Sequence, residues 1–278
     1  MLRQVLEAAR MATDDETVHV CIMDEALKIL FNYRNYSCAP KICEAMHGIV
    51  KRYTGVEDPY AEIKSRDISE ALNLEHSIRS ITFNAKNSLL QALKVSATGN
   101  IMDSALYCNL DIETCLMAEL EKPFAICDME AFEKDIMKAK RILIIGDNAG
   151  EIVFDKILAE QLSMEREVIY AVRDRAIIND ATVEDAFKAG IADYAMIVST
   201  GCGAPGAVLE LCSGEFQDVF NNADVVISKG QGNFEALSET SRRVYFLLKA
   251  KCSKIAKAFD VEVNEYVFKK SIGYMQQN

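Results

Sequence analysis

At 278 residues the chain is long enough for one large domain or two unequal ones, and with 50% hydrophobic and 26% charged residues it can bury a sizeable core, which excludes a disordered chain. A formal net charge of −11 disfavours nucleic acid, because an acidic surface repels phosphate backbones. The nine cysteines, odd in number and without a Cys-x-x-Cys, fit a reducing cytoplasm better than a disulfide framework. No apolar run and no signal-peptide pattern at Met1-Leu2-Arg3-Gln4 points to a membrane or to export, so the sequon Asn35-Tyr36-Ser37 carries no expected glycan.

Residues 1–120 read as helix after helix. Pro40 suits a first helical position, and Ile42, Met46, Ile49, Val50 and Tyr53 follow at helical spacing until Gly55, where a helix would stop. Asp58-Pro59-Tyr60 reads as a turn. Further helical stretches fall at about Ser69–Ile81, Asn87–Ser96 and Ile112–Glu121, with Gly99-Asn100 and Pro123 as breaks.

After Asp128, which can cap a helix to about Ala139, the pattern changes. Short apolar runs at Arg141–Ile145, Glu167–Val172, Tyr194–Val198, Asp224–Ser228 and Val244–Leu248 alternate with helical patterns such as Ile152–Leu162 and Thr182–Ala189. Strands apolar on both faces, alternating with helices, predict an α/β fold: a Rossmann-like, doubly wound, mostly parallel sheet at 126–278 behind an N-terminal helical region at 1–125.

Four of these strands run directly into polar turns: Gly146-Asp147-Asn148-Ala149-Gly150-Glu151, Arg173-Asp174-Arg175 leading to Asn179-Asp180, Ser199-Thr200-Gly201-Cys202-Gly203, and Lys229-Gly230-Gln231-Gly232-Asn233. Parallel strands end on one edge, and open α/β sheets bind ligands outside that edge. Turns distant in sequence are therefore expected to meet in one crevice, bringing together Asp147, Asn148, Asp180, Ser199, Thr200, Lys229, Asn233 and Glu235. Carboxylate and amide oxygens are hard ligands that suit Mg²⁺ or Mn²⁺. Lys229 is a point charge for phosphate, and a helix starting near Ala149 would offer its N–H groups to an anion. The three histidines, His19, His47 and His76, lie in the helical half, away from these turns, which argues against a histidine base or a three-histidine zinc site.

Plainer readings stand beside each of these. Asp147 and Asn148 can be turn or cap residues, Asp180 can cap Thr182–Ala189, Lys229 can be a surface lysine, and Asn233 can cap a helix Phe234–Ser241 whose dipole Glu235 matches. Cys202 reads as a small buried residue rather than a nucleophile. No P-loop, Asp-x-Asp or Gly-x-Ser-x-Gly element is present. Gly201-x-Gly203-x-x-Gly206 matches a dinucleotide fingerprint in spacing, but Pro205 lies within it and the next strand ends at Ser228-Lys229, not at an acidic residue. An S-adenosylmethionine or dinucleotide enzyme using that turn, and a non-catalytic metabolite-binding protein, are the alternatives.

Gly146-Asp147-Asn148-Ala149-Gly150-Glu151 and Lys229-Gly230-Gln231-Gly232-Asn233-Phe234-Glu235 resemble signatures of the domain of unknown function 89 family, the damage-control phosphatases. Ile178-Asn179-Asp180-Ala181-Thr182, Gly99-Asn100-Ile101-Met102-Asp103 and Asp58-Pro59-Tyr60 are similar to further family segments. The resemblance implies a cytoplasmic, metal-dependent phosphomonoesterase acting on small phosphorylated metabolites such as sugar phosphates, with Mn²⁺, Co²⁺, Ni²⁺ or Mg²⁺ as the ion. By match, Asp147, Asn148 and Asp180 would hold the metal, and Asp147, Asp180 and Lys229 would be catalytic. Lys229, Asn100, Ser199, Thr200, Gly201, Asn233 and Glu235 would contact substrate. Microbial members tend to carry a Cys-x-x-Cys just before the Leu-Arg-Gln stretch; Met1 stands there in this sequence, so a second metal or redox role tied to that pair does not carry over, and a start that is either truncated or misassigned is the expectation.

Overall fold

A computed structural model of the chain describes residues 1–99 and 112–271. Seven strands form one sheet: β1 (Phe124–Cys127), β2 (Arg141–Ile145), β3 (Glu167–Val172), β4 (Met196–Ser199), β5 (Val225–Lys229), β6 (Tyr245–Lys249) and β7 (Tyr266–Lys270). Their order is β1-β7-β6-β5-β2-β3-β4, and every pairing is parallel except β6 with β7. The expected mixed α/β fold with a mostly parallel sheet is the one found. The short β1 and the antiparallel β7 were not expected from the sequence.

The alternation of side chains along each strand divides the interior in two. Ile142, Ile144, Tyr170 and Ile227 face a core completed by the helices Ala61–Phe83, Ser88–Thr98 and Ile152–Ser163. Leu143, Ile145, Ile169 and Val226 face the other, closed by Phe216 and Phe220 of the helix Gly214–Asn222 and Phe259 of the helix Ser253–Phe259. The helices Leu2–Ala12, Glu16–Phe31 and Ala39–Thr54 build a third, separate cluster around Ile22, Met46, Val50 and Tyr60. The Ala61–Thr98 segment therefore shares the core of the sheet, while residues 1–60 form a cap with an interior of their own.

Local chemistry sets the ends of several elements. Pro40 lies in the first turn of Ala39–Thr54, and Gly55 closes that helix at φ 71°. Thr182, not Asp180, caps Val183–Lys188, through a reciprocal box in which Asp185 accepts from the Thr182 backbone and hydroxyl. The helix expected near Ala149 begins at Ile152, and the one expected at Phe234–Ser241 runs Gly230–Leu237, so Asn233 lies inside it rather than capping it. No helix among the described residues is long and apolar enough to cross a membrane.

Candidate active site

Strands β2 and β5 are neighbours whose chains leave in opposite directions around the sheet, β2 towards β3 and β4, β5 towards β6. The crevice at such a switch point is where an open α/β sheet binds ligands. Asp147 lies two residues beyond β2, and Gly230 follows β5 directly. Gly230 has φ 76°, and a Cβ there would come within 1.9 Å of Asp147 Oδ2. The turn after β5 is thus shaped to let the carboxylate in.

The β2 turn is stitched to the loop that follows β3. Ala149 N–H donates to the Asn179 carbonyl (2.9 Å) and Ala181 N–H to the Asp147 carbonyl (2.8 Å), which makes Asn148 and Asp180 an isolated antiparallel bridge. The adjacent Asp147 and Asn148, and Asp180 from the loop after β3, are all buried in this corner. Between the two carboxylates lies Arg173, 1% exposed, with Nε donating to Asp180 Oδ2 at 2.7 Å and Nη2 3.7 Å from Asp147 Oδ1. Neither Nη1 nor Nη2 has a hydrogen-bond partner among the described residues. Burial opposes the arginine's charge, but Asp180 and Asp147 outweigh it and raise its proton affinity. Burial, then the neighbouring charges of Asp180 and Glu151, push the Asp147 carboxyl well above the usual carboxylate range.

Beneath this corner lies a second charged group. Lys229 is 1% exposed, and its ammonium donates to the Ser96 carbonyl (2.9 Å), Asp155 Oδ1 (2.6 Å) and Glu151 Oε2 (3.3 Å). An ammonium has three N–H groups, and all three are spent. Burial disfavours the charge of Lys229, yet Asp155 and Glu151 hold its proton affinity above the ordinary value. Asp155 also accepts from Ser96 Oγ (2.5 Å) and Tyr170 Oη (2.6 Å). Glu151 Oε1 accepts from Asn148 Nδ2 at 3.0 Å, linking the lysine to the corner of Asp147, Asn148 and Asp180. The expectation of a lysine presented to phosphate therefore needs correcting: Lys229 is a buried keystone, because the Ile152–Ser163 helix is buried on every side and brings Asp155 beneath β5.

The remaining expected residues have other surroundings. Ser199 Oγ donates to Asp174 Oδ1 (2.8 Å) and accepts from Gly201 N–H (3.0 Å). Thr200, fully buried, accepts from Cys202 N–H at 3.2 Å. Gly201 has φ 71°, and a Cβ there would sit 2.7 Å from Ser213. Asn233 is buried, donates to the Gly146 and Lys229 carbonyls and accepts from Ala207 N–H, so it braces three loops from below. Glu235 lines a separate cleft of about 330 Å³ with Ser37, Cys38, Glu210 and Glu239. Cys202 is buried, as expected of a small core residue. Asn100 lies outside the described residues. The Gly201–Gly206 turn does not open a helix; a Cβ on Gly206 would meet the Gly232 carbonyl oxygen at 2.5 Å, and one on Gly232 the Pro205 carbonyl oxygen at 2.2 Å. These glycines let two backbones cross, which removes the structural basis for a dinucleotide fingerprint.

Arg173, Glu151 and Asp155 were not among the residues expected at the site. The Gly146–Glu151 string contained Glu151, but nothing in the local pattern distinguishes a buried carboxylate from a solvated one.

The damage-control phosphatase ARMT1-like domain model matches residues 1–267. The chain belongs to that family. It is 35% identical to a damage-control phosphatase of Pyrococcus horikoshii, over 94% of this chain and 92% of the relative. It is 33% identical to a damage-control phosphatase of Archaeoglobus fulgidus, over 97% and 96% of the two. The crystal structure of a DUF89 family protein from Pyrococcus horikoshii, solved at 2.04 Å, superposes with a TM-score of 0.87 at 33% identity, covering 97% of this chain and 95% of that one. Membership of the damage-control phosphatases thus rests on nearly the whole chain, cap and sheet together.

The donor chemistry of the corner fits a divalent ion. Four buried carboxylates, Asp147, Glu151, Asp155 and Asp180, are accompanied by two buried cations, Arg173 and Lys229. Burying uncompensated carboxylates is costly, and one doubly charged ion would balance them. Among the described residues no three His, Cys, Asp or Glu side chains converge as a metal cluster, so a ligand set in this corner would be two carboxylates and the Asn148 amide oxygen.

Proposed function

We propose that the chain is a metal-dependent phosphatase that hydrolyses phosphate monoesters of small metabolites in the cytoplasm. The observation that carries this reading is the corner in which Asp147, Asn148 and Asp180 come together around a buried, incompletely bonded arginine at the switch point of the sheet. Names borne by relatives of nearly the same length support a phosphatase. The buried charge balance supports the metal.

In this reading Asp147, Asn148 and Asp180 hold the ion through oxygen, with Mn²⁺, Co²⁺, Ni²⁺ and Mg²⁺ as the ions that suit such ligands. When bound, the ion supplies Lewis-acid charge next to the phosphoryl group. Arg173 fixes Asp180 in direction through its Nε, and its Nη groups are the donors left to meet phosphoryl oxygens as charge develops on them. Lys229 acts at one remove: it donates to Glu151 and Asp155, and Glu151 in turn accepts from Asn148 Nδ2, which leaves the Asn148 amide oxygen as the atom to offer an ion. Asn233 sets the height of the Gly146 carbonyl and hence of the Asp147 turn.

A screen of p-nitrophenyl phosphate and sugar phosphates, with each divalent ion in turn and with a chelator, tests the proposal. Hydrolysis should need the ion. Full turnover under chelation would refute the metal, and no turnover on any ester, despite measurable ion binding, would favour a binding protein instead.

A further inference from the structure

Ile178 has φ 47°, in the left-handed region that β-branched residues almost never enter. Such strain persists only where the surroundings impose it. The surroundings in this case belong to the cap. Ile178 packs against the cluster of Met46, Val50 and Tyr60, and two residues earlier the Ala176 carbonyl accepts from Lys51 Nζ at 2.7 Å. On the other side of Asp180, Lys64 Nζ, 3% exposed, bridges Asp58 Oδ2 and Asp185 Oδ2, each at 2.7 Å, and Asp185 is the carboxylate of the Thr182 capping box. The segment carrying Asp180 is thus clasped from the N-terminal side of the chain at Ala176, Ile178 and Asp185.

We propose that the helical cap is a positioning device for Asp180, and that Ile178 is its principal positioning residue. This rests on the reading of Asp180 as an ion ligand. Seating the Ile178 side chain in the cap forces the backbone through its left-handed turn. That turn aims Asn179 and Ala181 at the β2 loop, where the Asn179 carbonyl and the Ala181 N–H bond to Ala149 and Asp147. The cap thereby fixes the spacing between Asp180 and Asp147 through the backbone of the loop that carries Asp180. Glycine at 178 would adopt the same φ at no steric cost and would remove the anchor, so it separates the strain from its use.

The test compares wild type, Ile178→Gly, Ile178→Val and Asp180→Asn as full chains stripped with a chelator, and titrates each with Mn²⁺ alone by calorimetry. Turnover at saturating Mn²⁺ is measured separately. Ile178→Gly is expected to bind Mn²⁺ at least 10-fold more weakly than wild type, to recover turnover to within about 3-fold at saturating ion, and to melt within a few degrees of wild type. Ile178→Val, still branched and apolar, should restore wild-type affinity. A merely structural role would lower the melting temperature and leave the affinity of the folded protein unchanged. Wild-type Mn²⁺ affinity in Ile178→Gly, with binding lost in Asp180→Asn, overturns the positioning role alone. Wild-type affinity in Asp180→Asn overturns the ion-ligand reading, and the positioning role with it.

Discussion

At the corner where the loops after β2 and β3 meet, side chains are brought together; where the loops after β4 and β5 cross, backbones are. Both regions are rich in glycine, and the glycines serve different purposes. Gly230 leaves room for the Asp147 carboxylate, whereas Gly206 and Gly232 leave room for each other's loop. The first region concentrates buried charge that packing alone does not satisfy, and the second is braced by the three hydrogen bonds of Asn233. The difference sets the candidate site apart from its scaffold along one sheet edge, and it can be broken residue by residue.

The largest effect on stability should come from the cation of the charged corner. Arg173→Met leaves Asp180 and Asp147 without their buried partner, and removing one member of such a group costs about 3–5 kcal/mol. Adding Asp180→Asn to that variant should recover more than half of the loss in denaturant melts. A double variant no more stable than the single would mean that the arginine's worth is packing rather than charge.

Two glycines two residues apart sharpen the contrast further. Gly230→Ala places a Cβ on the Asp147 carboxylate and strains a φ of 76°, so hydrolysis should fall by about 100-fold, roughly 2.7 kcal/mol. Gly232→Ala meets the Pro205 carbonyl oxygen instead and should cost about 1–3 kcal/mol of stability while turnover per folded molecule stays within about 3-fold. Steady-state kinetics on the folded fraction distinguishes the two, and equal losses of turnover would erase the distinction.

The cap has its own response to acid. His47 is 5% exposed, its Nε2 lacks a hydrogen-bond partner among the described residues, and burial, followed by the charges of Lys51 and the N-terminus, lowers its pKa to about 4. The unfolded chain binds a proton near the ordinary value of about 6.5. The neutral ring's contribution is therefore complete above that pH and is lost progressively between about 6.5 and 4, amounting to about 2 kcal/mol by pH 5. In His47→Leu the melting temperature should lose this part of its pH dependence; an unchanged profile would assign acid sensitivity to the carboxylate corner.

The smallest effect is expected at Ser199. Its hydroxyl is already engaged by the half-exposed Asp174 and by Gly201 N–H, so Ser199→Ala should change stability by under about 1 kcal/mol and leave turnover as it is. A large rise in KM for a phosphate ester would instead bring the β4 turn into the substrate site.

What the sequence makes legible follows from which forces are local. The central strands β2, β3 and β5 are apolar on both faces and could be read at once, and from them the convergence of Asp147, Asn148 and Asp180 on one edge. Strand β7, Tyr-Val-Phe-Lys-Lys, ends in two half-exposed lysines and runs antiparallel beside β6, a pairing no local pattern announces. The helix Gly230–Leu237 begins in Gly-Gln-Gly, a string that reads as a turn because helices seldom start in glycines; these are required by close approaches visible only in three dimensions. Asp155 and Lys229 look like solvated charges because pairing, not composition, decides whether a charge can be buried. The strain at Ile178 is invisible in sequence for the same reason: it is imposed by contacts with a cap more than 100 positions away.

The proposed site depends on one ion shared between two loops. Mn²⁺ titrated calorimetrically into the chelator-stripped chain should bind one ion per chain, and Asp147→Asn should abolish both that binding and at least about 99.9% of the hydrolysis while the chain stays folded at the assay temperature. One ion bound with unchanged affinity by Asp147→Asn, or full hydrolysis by the stripped wild-type chain, would contradict it.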